Sequence, residues 1–338
     1  MQETFQPPVW ISSRHLQSIL PSLQVRRPWV ERRLHDILTA SREVLLDCGE
    51  GVTLQGLLAA QAARPAAAGS GREPRVAVLL HGWEGSAGSL YMLSLAQQLY
   101  ARGFDVVRLN LRDHGETHHL NRELFHSCRL PEVIGAVRAI QQRYEGVPLH
   151  LAGFSLGGNF MLRVAARAAE ERLAIAKVVA VSPVLEPSAT LDALEHGFFA
   201  YHWYFVRKWT RSLARKQAAW PADYDFASLG TRPSLRAMTA ELVRRFTSFP
   251  SLEDYLRGYA LTDGRLAGLE VPATMIVSLD DPIIPAHDLA RIARPQHLKL
   301  ITTRRGGHCG FMERLSGSTW AERRVIAELD SAEALANA

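Results

Sequence analysis

Short apolar runs alternate with helical patterns along most of this chain, and this alternation constrains the fold more than any other feature of the sequence. The runs are rich in β-branched residues, and helical spacing of apolar side chains follows several of them, at 90–101, 131–143 and 156–169. The runs lie at 76–80, 104–109, 147–152, 177–181, 273–277 and 298–301. Buried strands joined by helices are typical of parallel sheets, so the pattern predicts an α/β fold with helices on both faces of a mostly parallel sheet.

The residues ahead of this series form three segments of different character. Residues 42–58 alternate in polarity around a Gly-Glu-Gly turn, which predicts an antiparallel hairpin. The preceding segment from Pro7 to Pro28 is punctuated by proline and is predicted to be irregular, within an N-terminal arm of residues 1–40. Residues 59–73 are rich in Ala, Gly and Pro and are predicted to form a surface loop.

The strand series is interrupted between about 187 and 270, where the chain changes texture. This stretch has no clear strand but is rich in aromatic residues, most densely at 198–205. A structureless loop of this length is improbable in a compact domain. We therefore predict a helical lid at 187–270, inserted in a core made of residues 1–186 and 271–338.

Composition excludes several other classes of protein. The chain has 338 residues, of which 47% are hydrophobic and 22% charged, which is ordinary for a globular protein. Its three cysteines show no Cys-x-x-Cys spacing, so neither a disulfide scaffold nor a zinc or thiol-redox site is predicted. The N-terminus does not resemble a secretion signal, and no apolar stretch approaches the ~20 residues needed to cross a bilayer. We expect a cytoplasmic protein with at most peripheral membrane contact.

The net charge of +5 invites a nucleic-acid interpretation. Only four of the 39 basic residues are lysines, and the arginines are interleaved with Asp and Glu along the whole chain. A solvated, arginine-rich surface explains this distribution better than a patch that tracks phosphates. We therefore expect no nucleic-acid partner.

The motif Gly153-Phe154-Ser155-Leu156-Gly157 lies between a predicted strand and a predicted helix. A G-x-S-x-G motif in that position is typical of a nucleophile elbow, in which the serine sits on a sharp, strained turn. The residues two before and two after the serine must be small, and both are glycine here. A glycine-rich turn with an incidental serine stays an alternative, but the context favours Ser155 as a nucleophile.

A serine nucleophile needs a base and an acid that orients the base, in the chain order serine, acid, histidine for this arrangement. Asp280 and Asp281 follow the strand predicted at 273–277, and active sites gather at the carboxyl ends of such strands. His308 follows the last predicted strand in a glycine-flanked loop. We predict Ser155, Asp281 and His308 as a catalytic triad. Asp280 is the alternative acid, and a plain surface-loop histidine is the alternative for His308.

The tetrahedral intermediate of acyl transfer also needs hydrogen-bond donors for its oxyanion. The backbone N–H of Leu156 directly follows the serine. The second donor should come from the loop after the third predicted strand, where we choose the N–H of Trp83. The alternative for this loop is a tight turn whose glycines only serve packing. His81 is expected to shape the loop rather than to transfer protons.

Three other features are predicted to have no catalytic role. Segment 113–119 groups acidic residues and histidines but lacks the His-Glu-x-x-His spacing, so metal binding is not predicted. Cys309 adjoins His308, but adjacent residues in an extended loop point apart, so Cys309 is expected to be buried or incidental. The aromatic run at 198–205 could stack nucleic-acid bases, but in a lid it more simply lines an apolar pocket or packs internally.

The chain resembles the α/β-hydrolase superfamily over nearly its whole length, specifically the YheT-like branch. That branch holds bacterial predicted hydrolases and eukaryotic abhydrolase-domain esterases and phospholipases. Five segments carry the resemblance: 14–20, 81–86, 153–159, 280–282 and 307–311. In the first of them, Ser18 replaces the threonine of a His-Leu-Gln-Thr signature. The chain departs from its relatives at 110–115, a pocket wall where they usually carry Arg-Gly.

The resemblance implies the α/β-hydrolase fold, the triad of Ser155, Asp281 and His308, and esterase-type activity on poorly defined substrates. We expect hydrolysis of small to medium or lipid-like esters with an apolar part, through an acyl-enzyme and without a metal or organic cofactor. The alternatives are an acyltransferase or thioesterase with the same triad and, less favoured, a non-catalytic binding protein. Epoxide hydrolases and dehalogenases of this fold use an aspartate at the position of Ser155, so the resemblance argues against those two activities. The oligomeric state stays open.

Overall fold

A mostly parallel sheet forms the centre of the protein in the computed structural model, which describes residues 5–22, 27–28, 34–61, 74–227 and 234–336. The described residues form eight strands in the order β1-β2-β4-β3-β5-β6-β7-β8. These are β1 Ser41–Asp47, β2 Thr53–Ala59, β3 Arg75–Leu80, β4 Phe104–Leu109, β5 Leu149–Phe154, β6 Ile175–Val181, β7 Ala273–Ser278 and β8 Leu298–Thr303. Strand β2 pairs antiparallel with β1 and β4, and all other neighbours are parallel. The predicted parallel sheet and N-terminal hairpin are confirmed, while residues 62–73 of the predicted loop lie outside the described part.

Helices cover both faces of this sheet. They are α1 Arg14–Ile19, α2 His35–Ala40, α3 Leu90–Tyr100, α4 Leu130–Arg143, α5 Leu156–Ala166, α6 Pro187–His196, α7 Phe199–Ala219, α8 Leu235–Phe246, α9 Leu252–Gly258 and α10 Trp320–Ala336. In β3, Val76 and Val78 join an apolar cluster with residues of α4 and α5, whereas Ala77 and Leu79 join one with α3 and α10. Successive strand residues point to opposite faces, so every residue of β3 is buried.

The segment between β6 and β7 is helical, as the sequence predicts, and consists of α6 to α9 with their connections. Tyr201, Leu235 and Val243 from this segment join the apolar cluster that also contains residues of α4 and α5. A smaller cluster, with Leu213 of α7 and Met238 of α8, holds these two helices together. The treatment of 187–270 as a separate lid stays a prediction.

The N-terminal arm is more ordered than its prolines suggested, and the prediction of an irregular segment from Pro7 to Pro28 is wrong for part of it. Short 3-10 helices at Val9–Ile11 and Leu20–Ser22 flank α1. The arm is anchored by the fully buried Gln17, whose amide donates to the carbonyl oxygens of Ile11 and Met312 at 3.0 and 2.9 Å. The same amide accepts the Met312 N–H at 2.7 Å. Contacts across the chain of this kind leave no periodic signal in the arm itself.

Candidate active site

Ser155 occupies a strained turn between β5 and α5. Its backbone has φ 52° and ψ −119°, in a region that residues with a side chain rarely adopt. Strand β5 ends at Phe154 and helix α5 begins at Leu156, so a single residue reverses the chain and presents its hydroxyl at the carboxyl end of the strand. The geometry is that of the predicted nucleophile elbow.

The motif requires glycine at both positions, because backbone atoms lie where the Cβ of any other residue would be. A Cβ on Gly153 would lie 2.3 Å from the carbonyl oxygen of Gly157, and a Cβ on Gly157 would lie 2.3 Å from that of Leu80. Neither contact can be relieved by rotating a side chain. The turn therefore packs directly against the neighbouring strand β3.

The Gly157→Ala variant is expected to be destabilised by about 3 kcal/mol or more, because the new methyl group must push the backbone of α5 away from β3. Chemical denaturation with the free energy of unfolding as readout measures the effect. Gly268→Ala is the matched control, since a Cβ there meets nothing within 4 Å. Equal stability of the two variants would contradict this account of the elbow.

The structure brings Ser155, His308 and Asp281 together in one hydrogen-bonded series. His308 Nε2 lies 3.0 Å from Ser155 Oγ, and His308 Nδ1 lies 2.9 Å from Asp281 Oδ2. The other oxygen of Asp281, Oδ1, accepts the backbone N–H groups of Ile283 and Ile284 at 2.8 and 2.9 Å. These two donors fix the carboxylate, which in turn fixes the imidazole.

Charge and burial act in opposite directions on His308. Burial lowers the pKa of His308, but the charge and hydrogen bond of Asp281, with a smaller contribution from Cys309, outweigh it and raise the pKa well above the usual 6.5. The imidazolium form is thus stabilised by its aspartate. A neutral histidine beside this aspartate can accept a proton and hold it as an imidazolium, which the aspartate stabilises.

Asp280, the alternative acid, does not contact the imidazole. Its Oδ1 accepts hydrogen bonds from the Ser278 hydroxyl and, at 2.9 Å, from the backbone N–H of Gly307. Asp280 therefore ties the end of β7 to the loop that carries His308. The two adjacent carboxylates have separate tasks, one toward the ring and one toward the loop.

The loop that follows β3 runs beside Ser155. A Cβ on Gly82 would lie 3.2 Å from the Cβ of Ser155, which places the backbone of the loop next to the serine. The N–H of Gly82 is already used, because it donates to the Tyr91 hydroxyl at 3.1 Å. Within the described residues, the N–H groups of Trp83 and Leu156 donate to no protein acceptor. Both groups are therefore available to donate, and their assignment to an oxyanion site stays a prediction.

His81 holds this loop in shape. Its Nδ1 lies 2.7 Å from the Gly82 carbonyl oxygen, and its Nε2 accepts the Leu111 N–H at 3.3 Å. Burial lowers the pKa of His81 to about 4, so the ring is neutral near pH 7. Both ring nitrogens are occupied by backbone groups, which fits the expected role in loop geometry.

Ser155 and His308 line a cavity of about 460 Å³ between the sheet and the helical segment α6–α9. Its wall is mainly apolar and includes Tyr201, Tyr204 and Phe205 from the aromatic run, as predicted. The Trp83 ring stacks on Phe205 with centroids 5.1 Å apart and planes 7° from parallel. The loop that offers the Trp83 N–H is thus braced by α7.

The lining of the cavity includes the charged side chains Glu84 and Lys208. The ammonium of Lys208 donates to the backbone oxygen of Glu84 at 2.8 Å. Burial raises the pKa of the Glu84 carboxyl to about 7, against the opposing effect of Lys208. Glu84 lies in the loop that carries Trp83, and Lys208 lies on α7. Sequence reasoning assigned neither of them to the site.

Two expectations about the surroundings of the site are wrong. Cys309 does not lie in an extended loop: its φ is 58°, and its half-buried side chain lines the same cavity as His308. The stretch 110–115 does not line the cavity either. Its polar side chains are buried in a network beneath the loops, in which Arg112 pairs with Glu132 at 2.7 Å and Asp113 with Lys216 at 2.9 Å.

Segment 113–119 shows no sign of a metal site. No three His, Cys, Asp or Glu side chains of the described residues are grouped so that they could hold a metal ion. Asp113 is committed to Lys216, and His114 Nδ1 lies 2.7 Å from the Arg112 carbonyl oxygen. The Asp113 carboxylate and the Nδ1 atom of His114 therefore already have partners within the protein.

The N-terminal arm reaches the site, which sequence reasoning missed. The Ser18 hydroxyl accepts the backbone N–H of His308 at 2.8 Å and donates to the Arg14 carbonyl oxygen at 2.7 Å. His15 Nδ1 lies 3.0 Å from the Tyr201 hydroxyl of α7. The sequence signal for this contact was the signature at 14–20, but its residues do not indicate that they reach the site.

Comparison with known proteins gives the family. The sequence profile described as the alpha/beta hydrolase fold matches residues 76–315, which is more than half of the chain. This protein is a member of the alpha/beta hydrolase fold family. The match includes Ser155, Asp281 and His308 and the whole helical segment between β6 and β7.

The hydrolase has relatives that span nearly its whole length. It is 26% identical to YheT of Escherichia coli (strain K12), named as a proposed esterase, over 95% of this chain and 91% of that protein. This supports the resemblance to the YheT-like branch. Among solved structures, the Pyrococcus furiosus esterase Pf2001 has a TM-score of 0.55 at 15% identity, covering 88% of this chain and 92% of that one. A membrane phospholipase A described as a bacterial virulence factor has a TM-score of 0.54 at 16% identity, covering 92% and 93%.

At 15–16% identity, the similarity to these solved structures shows the fold alone. The chemistry has to be inferred from the residues of the site. For membrane association, the described helices give one finding: none of them is long and apolar enough to cross a bilayer.

Proposed function

We propose that this hydrolase is a serine esterase that cleaves carboxylic esters through an acyl-enzyme. One observation carries the proposal: Ser155, His308 and Asp281 form a continuous hydrogen-bonded series that opens into an apolar cavity. The family and the relatives named as esterases support an esterase- or lipase-type hydrolase. The serine mechanism rests on the geometry.

In the first half of the reaction, His308 Nε2 takes the Ser155 proton while Oγ attacks the ester carbonyl carbon. The carbonyl oxygen becomes an oxyanion, which the N–H groups of Trp83 and Leu156 stabilise. When the tetrahedral intermediate collapses, the bond to the alcohol oxygen breaks. The alkoxide leaves with the proton from His308, and the acyl group stays on Ser155.

In the second half, water takes the place of the alcohol. His308 Nε2 removes a proton from the water as it attacks the acyl carbon, and the same two N–H groups receive the second oxyanion. The bond to Ser155 Oγ then breaks, and the proton returns to Ser155. The carboxylic acid product leaves and the enzyme is restored.

The cavity indicates the class of ester. A volume of about 460 Å³ with aromatic and aliphatic walls suits a small to medium or lipid-like ester whose acyl or alcohol part is apolar. Burial of that part against α7 would hold the carbonyl group near Ser155. The aromatic side chains of the helical segment thus serve as the specificity wall of a lid.

A series of p-nitrophenyl esters of increasing acyl length tests the proposal, with Ser155→Ala as the blank. We expect turnover that depends on acyl length and is confined to the wild type. Equal rates for the two proteins would contradict the proposal. Added alcohols that capture the acyl group in preference to water would identify a transferase instead.

Ser18 is expected to orient His308, since its hydroxyl is the acceptor for the His308 N–H. Ser18→Ala should lower kcat about tenfold with little change in KM, because the loop loses a contact that holds the imidazole in line. Ser18→Thr keeps the hydroxyl and should keep the rate.

The matched control for Ser18 is Ser13→Ala, because the Ser13 side chain makes no capping hydrogen bond at the start of α1. Kinetics and thermal unfolding of the three variants separate positioning from stability. Wild-type kcat in Ser18→Ala, or an equal loss in Ser18→Thr, would refute the positioning role.

A further inference from the structure

One face of α7 exposes aromatic and basic side chains in a regular order. Phe199, Trp203, Arg207 and Arg211 follow one another at intervals of four residues, so they share a face of the helix, and all four are exposed. The exposed fractions of Phe199 and Trp203 are 76% and 60%. We name these four residues the α7 stripe. Large aromatic groups left in water in this way often mark a binding surface.

The charge of α7 has one sign. The helix contains five basic residues and no Asp or Glu. Three of the five are engaged within the protein: Lys208 with the Glu84 carbonyl oxygen, Arg215 with Glu116, and Lys216 with Asp113.

The remaining two cations belong to the stripe. Within the described residues, Arg207 and Arg211 form no ion pair or hydrogen bond through their side chains. The guanidinium of Arg207 lies over the Trp203 ring, 5.2 Å from its centroid. The stripe thus combines two exposed rings with two cations that are free to meet an anionic surface.

This combination matches the boundary of a lipid bilayer better than the surface of another protein. Trp and Phe side chains enter the region between headgroups and acyl chains, while arginine binds phosphate with two parallel donors. In α7 the rings occupy the first two turns and the arginines the next two, so one end of the face is apolar and the other cationic. A protein partner would need acidic groups spaced to match, whereas an anionic bilayer offers phosphates everywhere.

The stripe adjoins the active-site cavity. Trp203 is largely exposed and also lines the cavity, and its neighbour Tyr204, which is 38% exposed, lines the cavity as well. The start of α7 is fixed in place by the N-terminal arm, because His15 lies 4.6 Å from Phe198 between ring centroids and contacts the Tyr201 hydroxyl. A surface that binds the stripe would therefore lie against the rim of the cavity.

We propose that the α7 stripe docks this protein on the surface of bilayers that contain anionic phospholipid, with the rim of the cavity toward the lipid. Phe199 and Trp203 insert at the interface, and Arg207 and Arg211 bind lipid phosphates. The docking does not depend on catalysis, so it stands or falls separately from the esterase proposal.

Co-sedimentation of the full-length protein with vesicles tests the docking. One set of vesicles contains phosphatidylcholine alone and the other adds phosphatidylglycerol; Ser155→Ala is measured beside the wild type. Both proteins should bind the anionic vesicles more tightly, and the binding should weaken as salt rises. Phe199→Ser should lower the partition coefficient about tenfold, and Arg207→Gln with Arg211→Gln should lower it roughly fivefold per arginine for anionic vesicles.

Matched controls come from other surfaces. Leu45, 57% exposed on edge strand β1, provides the apolar control Leu45→Ser. Arg172, exposed near the start of β6, provides the charge control Arg172→Gln. Absence of binding to anionic vesicles, or equal losses in stripe and control variants, would overturn the proposal. The proposal would also be overturned if the protein self-associated through the stripe in analytical ultracentrifugation and did not bind vesicles. The stripe would then bind a second copy of the protein.

Discussion

Replacement of Ser155 by alanine is expected to lower kcat/KM for ester hydrolysis by about 10⁵-fold or more, with almost no change in stability. The variant loses the hydroxyl that lies 3.0 Å from His308 Nε2 and that would attack the ester. Alanine is no worse than serine at φ 52°, because both carry a Cβ, so the elbow should keep its shape. Steady-state kinetics and thermal unfolding measure the two effects.

Cys309→Ser is the informative companion to this variant, because the thiol of Cys309 lines the cavity beside His308 and is itself nucleophilic. A serine there can still donate toward the Val181 carbonyl oxygen, which the thiol approaches at 3.6 Å. Most of the activity should therefore remain. Loss of activity in Cys309→Ser but not in Ser155→Ala would transfer the nucleophile's role from serine to cysteine.

Replacement of Asp281 by asparagine is expected to lower kcat/KM about 10⁴-fold while the site keeps its outline. The two N–H donors of Ile283 and Ile284 must face an oxygen, so the amide oxygen takes the place of Oδ1. The amide NH₂ then faces His308 Nδ1, which has to accept rather than donate. The ring proton moves to Nε2, and Nε2 can no longer act as a base toward Ser155.

The Asp281→Asn substitution also changes the pH dependence of kcat/KM. Proton transfer needs neutral His308, so kcat/KM of the wild type should rise with pH and reach half of its plateau above pH 6.5, because the pKa of His308 is raised. In Asp281→Asn, burial remains but the carboxylate charge is gone, so this midpoint should move down. Activity measured across pH with a non-ionising ester checks both directions.

Asp280→Asn is the matched control for Asp281. It removes a neighbouring charge but not the contact with the ring, since Asp280 binds Ser278 and the Gly307 N–H. We expect a loss of about tenfold, caused by a looser histidine loop. A larger loss in Asp280→Asn than in Asp281→Asn would reverse the assignment of the two carboxylates.

Local sequence patterns were sufficient for the sheet and for the position of Ser155 at its edge. Strand β3 could be predicted because each of its residues is buried, and Ser155 because its motif must lie between a strand and a helix. Contacts between distant parts of the chain could not be predicted. Gln17 orders the arm through Met312, nearly the whole chain away, and Ser18 reaches His308 in the same way.

Backbone conformation also limited the prediction at single residues. Cys309 was expected in an extended loop, but its positive φ turns the chain so that it and His308 line one cavity. Sequence reasoning preferred Asp281 to Asp280 as the acid, and in the structure the Asp281 carboxylate is the one that faces the ring. At 110–115, the buried partners of Arg112 and Asp113 lie on α4 and α7, and their sequence spacing gives no hint of the pairing.

Covalent labelling by a fluorophosphonate tests the central claim most directly, because a serine reacts readily with the probe when an oriented base activates it. The probe is added to the intact protein, and the modified residue is located by peptide mass spectrometry. The account predicts one phosphonyl group on Ser155, no label in Ser155→Ala and much slower labelling in Asp281→Asn. An unlabelled wild type, or labelling that persists in Ser155→Ala, would contradict it.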